Sequence, residues 1–264
     1  MAVMEKAERE RRFGGLNRLF GAHSVDALQQ AHVLIAGIGG VGSWCVETLV
    51  RSGVGTVTLV DMDHVSTSNI NRQLPALNST LGRSKIEVMA ERIKDINTAC
   101  QVHLIDDFVD RDNIDVFFQK DSNILIDCTD TLSAKVAMVL AAQKFSNKKL
   151  FVCGAAGGKR NPLALREGDL AFATHDALLG RLRQELRKNH GWPAGHAGKA
   201  NKPPKMNVHC FWFAEPTLLP EQWAQDDPLQ GLSCAGYGSA MSMTASMGLL
   251  AAQRAIDCIL ANET

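Results

Sequence analysis

Short apolar runs rich in β-branched residues alternate along this chain with longer stretches whose apolar positions recur every three or four residues. Residues 32–38 (HVLIAGI) form the first apolar run, and a glycine turn and a helical stretch from Gly42 to about Arg51 follow it. Residues 56–61 predict a second strand, and residues 83–96, with Ile86, Met89, Ala90 and Ile93 on one face, predict a helix. Residues 101–105 and Asn123–Cys128 read as the third and fourth strands, Ser133–Phe145 as a helix, and Leu150–Cys153 as a fifth strand. Strands that alternate with helices require βαβ crossovers, so the expected fold is α/β: a Rossmann-like doubly wound sheet.

The pattern changes at both ends of this core. Residues 1–30 are charged and read as a helical arm. Residues 176–189 predict an amphipathic helix with a basic face, and residues 190–206, rich in Gly, Pro and Lys, a loop. Residues 207–213 alternate like a strand, residues 220–233 read as another loop, and residues 235–261 as a last helix. With no internal repeat, one domain over 1–264 is expected: an arm (1–30), a nucleotide-binding core (31–158) and a loop-rich, substrate-facing half (159–264).

Composition narrows the function. Hydrophobic residues at 45% supply a core, and 28 Lys and Arg balance 28 Asp and Glu, which excludes a general nucleic-acid coat and leaves a local basic patch as the route to RNA. The 7 cysteines form no CxxC pair, so no zinc site is expected and the thiols read as reduced, in a cytoplasmic protein. The charged Met1–Arg12 stretch lacks a signal-peptide core, and Ala235–Ile256 is too polar for a membrane span.

The first glycine turn, Gly37-Ile38-Gly39-Gly40-Val41-Gly42, fits GxGxxG between a strand and a helix, where backbone N–H groups meet phosphate. Asp61 ends the next strand, placed to accept from ribose hydroxyls. These features alone suit NAD as well as ATP. Further on lie Asp63, Asn69, Arg72 and Gln73, then Lys85, then Asp130 just beyond the fourth strand. A guanidinium and an ammonium after the ribose acid suit a triphosphate, and Asp130 is placed for Mg²⁺ between phosphates. A NAD-dependent oxidoreductase and a nucleotide-binding scaffold stand as the rival classes.

The run GIGGVG…DMDHVSTSNINRQ…GRSK…DCTD resembles the ubiquitin-activating-type (ThiF/MoeB/HesA-like) adenylating enzymes. The resemblance implies that Asp61, Asn69, Arg72, Lys85 and Asp130 serve ATP and Mg²⁺, that the protein is a homodimer, and that an N-terminal arginine reaches the triphosphate, often from the other subunit. Arg18 is the candidate for that arginine, with Arg12 second. Such enzymes activate a carboxylate as an acyl-adenylate, whose leaving group is AMP.

Within the family, four further segments resemble the branch that dehydrates threonylcarbamoyladenosine in tRNA: Arg12–Gly15 with Arg18–Gly21, Gly154–Gly158, Gly168-Asp169-Leu170 through to Lys188, and Ser233–Gly238. That resemblance implies adenylation of the threonyl carboxylate, then ring closure by the neighbouring carbamoyl group. Adenylation of the C-terminus of a ubiquitin-like sulfur carrier is the alternative. A cysteine-desulfurase or sulfur-acceptor partner is compatible with either, and so is a monovalent cation held by backbone carbonyls. Lys159, Arg160, Arg166, Arg181, Arg183, Arg187, Lys188, Lys199, Lys202 and Lys205 form the expected RNA patch. The last residues, Leu260–Thr264, depart from the Lys-rich tail that the resemblance leads one to expect. Cys234, just before a helix, is the candidate catalytic thiol, although ring closure needs none; Cys128 and Cys153 read as packing residues on apolar strands.

Overall fold

The computed structural model describes residues 6–118, 122–145, 147–193, 203–218 and 237–261. Its elements, in chain order, are α1 (Lys6–Phe20), α2 (Ser24–Gln30), β1 (His32–Ala36), α3 (Gly42–Arg51), β2 (Thr56–Val60), α4 (Lys85–Ile96), β3 (Gln101–Ile105), α5 (Ile114–Phe118), β4 (Ile124–Asp127), α6 (Leu132–Lys144), β5 (Lys149–Cys153), β6 (Leu165–Asp169), α7 (Ala177–Asn189), β7 (His209–Phe213) and α8 (Met241–Ala261). Single-turn 3₁₀ helices punctuate the connections, among them Thr67–Asn69.

The seven strands form one sheet in the order β3-β2-β1-β4-β5-β7-β6, parallel except for the antiparallel β6–β7 pair. Strand order therefore runs outward from β1 in one direction through β2 and β3, and in the other from β4. In open α/β sheets such a reversal opens a crevice at the carboxyl ends of the two central strands.

Central β1, β2 and β4 are buried on both faces, as their continuous apolar runs require, whereas edge strand β3 is largely exposed. One face packs on α3, α4 and α8 through Cys45, Leu49, Met89, Met247, Ala251 and Ala255. The other packs on α5 and α6 through Phe117, Phe118, Ala137 and Met138. A third cluster joins α6 and α7 to β5 and β7 through Val139, Leu179, Leu182, Leu186 and Cys210.

The alternation expected from the sequence is present, with most ends shifted by one or two residues. Two elements went unread. β6 (LREGD) is a polar edge strand without apolar alternation, and α5 is too short to show helical periodicity. The last helix starts at Met241 rather than at 235, and the expected loop 220–233, with Cys234, lies outside the described residues.

Candidate nucleotide and acyl-activation site

The crevice between the β1 and β4 ends holds a cleft of about 640 Å³. It is lined by Gly37, Gly39, Gly40, Asp61, Asp63, Asn69, Arg72, Gln73, Lys85 and Asp130, all anticipated from the sequence. A second groove of about 670 Å³ lies between α1, α3 and α4, but it touches no glycine of the loop and no strand end. Of the two, only the first has the chemistry of a nucleotide site.

Gly37 leaves β1 with φ of +85°, and a Cβ there would meet the Cys128 carbonyl and the Thr129 nitrogen at 2.9 Å. Glycine is what lets the chain turn at this switch point. Gly42 does not line the cleft; its place is set by packing, since a Cβ would fall 1.8 Å from the Gly37 carbonyl oxygen. It opens α3 and aims that helix's N-terminus at the cleft.

Asp61 is braced on both oxygens: Ile38 N donates to Oδ2 at 2.6 Å and Asp63 N to Oδ1 at 2.8 Å. Burial lifts its carboxyl above the ordinary value, against the opposing pull of Lys85 and these N–H groups. Lys85 is buried, and its Nζ donates to Asp63 Oδ2 at 2.8 Å. Asn69 shapes the loop that carries Arg72: its Oδ1 accepts from Ser66 N, and its backbone carbonyl accepts from both Arg72 N and Gln73 N. The Arg72 guanidinium donates to Ser68 O and Asn71 Oδ1. Gln73 is buried with an unpartnered Oε1 on the cleft wall. Asp130 stands exposed on the rim.

Beneath Asp130 lies a charge pair that the sequence reading missed. Lys135 and Asp127 are fully buried, with Nζ 3.1 Å from Oδ1. Lys135 also donates to Cys153 O at 2.7 Å, and Thr129 donates to Asp127 Oδ1 through both N and Oγ1. Burial pushes the Lys135 ammonium towards losing its proton, but the nearby anionic groups, Asp127 first, outweigh that and raise its pKa. The available signal was a lysine set among Ala134, Val136, Ala137 and Met138, in a helix whose other lysine, Lys144, is its last residue.

The far wall is made by Gly154, Ala155, Ala156 and Leu178. Asp176 ties it together, since Oδ2 accepts from Ala155 N and Oδ1 from Leu179 N, capping α7. Phe108, Thr129 and Thr244 also line the cleft without having been anticipated.

Several sequence expectations need correction. Cys128 packs against the main core as expected, but from just past β4 rather than on it, where it also lines the cleft, with its Sγ 3.8 Å from that of Cys153. Lys159 is not presented to an RNA surface. It is buried, and its Nζ donates to His175 O, Glu215 O and Thr217 Oγ1. Arg183 is partly buried and donates to Leu170 O and Ala173 O, and Arg187 donates to Pro193 O. Arg160, Arg166, Arg181, Lys188 and Lys205 are exposed, while Lys199 and Lys202 lie outside the described residues. Neither Arg12 nor Arg18 lines the cleft of its own chain; Arg12 pairs with Glu8 and donates to Ile96 O. Among the described residues no group of three or more His, Cys, Asp or Glu is arranged to hold a metal ion, and no helix is long and apolar enough to cross a membrane.

The sequence model of the ThiF family matches residues 15–264, and the chain belongs to that family. It is 38% identical over 252 residues to the tRNA threonylcarbamoyladenosine dehydratase of Haemophilus influenzae, covering 95% of this chain and 94% of the relative. Its identity to the Escherichia coli dehydratase is 36% over 270 residues, covering 99% and 98%. The solved structure of that E. coli enzyme, TcdA, in complex with ATP aligns over 99% of this chain and 98% of its own, with a TM-score of 0.86 at 34% identity. Its AMP complex aligns with the same TM-score at 35% identity, over 100% and 99% of the two chains. The E. coli molybdopterin-synthase adenylyltransferase is 32% identical over 166 residues, which cover 62% of this chain and 66% of that one.

Proposed function

We propose that this ThiF-family chain is an ATP-dependent enzyme that dehydrates N6-threonylcarbamoyladenosine in tRNA, by adenylating the threonyl carboxylate and letting the neighbouring carbamoyl group close a ring. The observation that carries the reading is similarity to two dehydratases, at 38% and 36% identity over 95% and 99% of the chain, where the match to a molybdopterin-synthase adenylyltransferase covers only 62% of it. The adenylation half of the site is common ground for both substrates. What extends beyond it supports the tRNA nucleoside over a sulfur-carrier C-terminus.

The geometry suits the chemistry. A carboxylate becomes an electrophile once its oxygen attacks the α-phosphorus of ATP and pyrophosphate leaves. When the ring closes, that same oxygen departs on AMP, so the lost water is accounted for by the ATP consumed. The chain's part is to hold charge in place: the glycine loop and α3 N-terminus receive phosphate, and Lys85 and Arg72 offset its negative charge. Asp61 offers a carboxylate oxygen as acceptor to the ribose.

Asp130 is an exposed carboxylate on the rim, and no all-protein metal cage exists among the described residues. That combination fits Mg²⁺ shared between one carboxylate and the nucleotide's own phosphates, where it would supply further charge neutralisation. The N-terminal arginine is assigned to the partner of a homodimer, in keeping with neither Arg12 nor Arg18 lining the cleft of its own chain. Arg160, Arg181 and Lys188 are assigned to tRNA phosphates. A cytoplasmic location belongs to the same proposal and is in keeping with a tRNA substrate.

The test is to incubate the protein with ATP, Mg²⁺ and tRNA bearing threonylcarbamoyladenosine and to analyse nucleosides by mass spectrometry. Loss of one water from the modified nucleoside, with ¹⁸O from a labelled carboxylate recovered in AMP, is expected. An unchanged nucleoside, together with pyrophosphate exchange stimulated by a carrier ending in Gly-Gly, would favour the sulfur-carrier alternative.

A further inference from the structure

Arg72 is placed less by its side chain than by its backbone. Its carbonyl oxygen accepts from Trp44 Nε1 at 3.1 Å, and at 3.4 Å from Thr244 Oγ1, whose single proton is shared with Met241 O at 3.2 Å. Trp44 lies in the first turn of α3, the helix that opens on the glycine loop, and Thr244 lies in the first turn of α8. One residue before Trp44, buried Ser43 Oγ accepts from Leu74 N at 3.2 Å, so α3 grips the Arg72–Leu74 segment at two points. Thr244 is buried and touches the loop as well: a Cβ on Gly40 would meet its Cγ2 at 2.9 Å and Arg72 Cγ at 3.4 Å. The glycine loop, the first turn of α3, the Arg72 backbone and the first turn of α8 thus form one packed unit.

From this geometry we infer that Trp44 is a positioning residue for the triphosphate half of the site, acting through the Arg72 carbonyl with Thr244 as the second donor. The reason is directional. A guanidinium on a long flexible stem offsets phosphate charge in proportion to how well its backbone is held. Asn69 fixes the Arg72 N–H by accepting from it at 3.1 Å, and Trp44 and Thr244 fix its carbonyl. Both sides of the residue are tied before a ligand arrives. An indole N–H is a donor only, so Trp44 has no acceptor role that could substitute for this bond. The tie also gives α8, the last helix of the chain and more than a hundred residues away in sequence, a part in the nucleotide site.

The inference rests on the proposed role of Arg72 in offsetting triphosphate charge beyond the α-phosphate, and it predicts a signature that plain destabilisation lacks. AMP ends at the α-phosphate. Loosening Arg72 therefore weakens ATP and spares AMP. Dissociation constants for ATP and AMP are measured by titration calorimetry on the full chain, for the parent, Trp44→Phe, Thr244→Val, Arg72→Ala and the Trp44→Phe/Arg72→Ala double variant. Trp44→Phe keeps the ring and removes the N–H, and is expected to weaken ATP about three- to tenfold while AMP binding stays within about twofold. Thr244→Val shifts in the same direction, and Thr244→Ser, which keeps the hydroxyl, restores the parent value. In the Arg72→Ala background Trp44→Phe has no further effect, because both changes remove the same interaction.

Equal losses for ATP and AMP, or effects of Trp44→Phe and Arg72→Ala that multiply, overturn the positioning role while leaving Arg72 itself in place. An Arg72→Ala variant that keeps the parent preference for ATP over AMP overturns the triphosphate reading and the inference together. Should Trp44→Phe fail to fold, Thr244→Val carries the same comparison without touching α3.

Discussion

Lys85 is bound twice to Asp63, its N donating to the Asp63 carbonyl at 3.0 Å and its Nζ to Oδ2 at 2.8 Å. The lysine side chain is 6% exposed and the aspartate 66%, so a sheltered ammonium is held by an acid that faces solvent. Such an acid keeps the charge aimed and yields when a phosphate, a stronger anion, replaces it. Lys85→Ala is expected to lower ATP–pyrophosphate exchange by about 10²–10³-fold, the usual loss of one preorganised charge donor. Exchange at the parental rate would remove Lys85 from the mechanism.

Asp61 supplies the pH dependence. Its folded pKa lies above the ordinary 3.8, burial being the main cause. Proton binding therefore favours the folded state, and this group's contribution is fully present below the unfolded value and lost as pH rises through the raised one. An Asn at the same place titrates at neither. Asp61→Asn should thus gain on the parent in urea unfolding as pH rises from the unfolded value through the raised one, while its ATP affinity falls for want of the carboxylate that accepts from the ribose. A stability difference that does not change with pH would show that Asp61 is not perturbed.

The Asp127–Lys135 pair sets the stability of the floor. Removing one partner strands a charge in the core, and Lys135→Met is expected to cost about 3–5 kcal/mol. The double variant Asp127→Asn/Lys135→Met should recover much of that loss, because no charge is then left unpaired. Chemical denaturation of the three proteins decides it; additive losses would mean that the pair is not coupled.

For RNA the exposed and buried cations should part company. Arg181→Ala and Lys188→Ala are each expected to lower the slope of log affinity for tRNA against log salt by roughly 0.7–0.9, the contribution of one phosphate contact. Lys159→Ala should leave the slope unchanged and lower stability instead, since three acceptors lose their buried donor. A slope change at Lys159 would return it to the RNA surface.

The assigned homodimer predicts complementation. Arg18→Ala and Lys85→Ala, each defective alone, should regain part of the parental exchange rate when mixed and allowed to exchange subunits, because one cleft in the mixed dimer is then intact. Mixtures no more active than their components would mean that Arg18 does not serve the neighbouring cleft, and the same trial with Arg12 then follows.

Most of the sheet and much of the lining of the cleft at its switch point were legible in the residues themselves. Alternating apolar runs specify βαβ units because buried parallel strands must be apolar on both faces. Gly37, Asp61, Arg72 and Asp130 each sit at a strand end or in the loop after it, and Lys85 opens the helix that follows, so the chain order of strands and helices already implies that they line one cleft. Polar β6 and five-residue α5 carry too little pattern to be seen in this way.

Tertiary structure alone decided which cations are free. Lys159 and Arg181 look alike in a sequence, yet one ammonium is spent on three internal oxygens and the other guanidinium is exposed. Nor could any local pattern bring Trp44 and Thr244 to the carbonyl of Arg72, since that meeting depends on α8 crossing α3 over the glycine loop. A sequence records what each residue can bond to; the packing of distant segments settles which bonds are already taken.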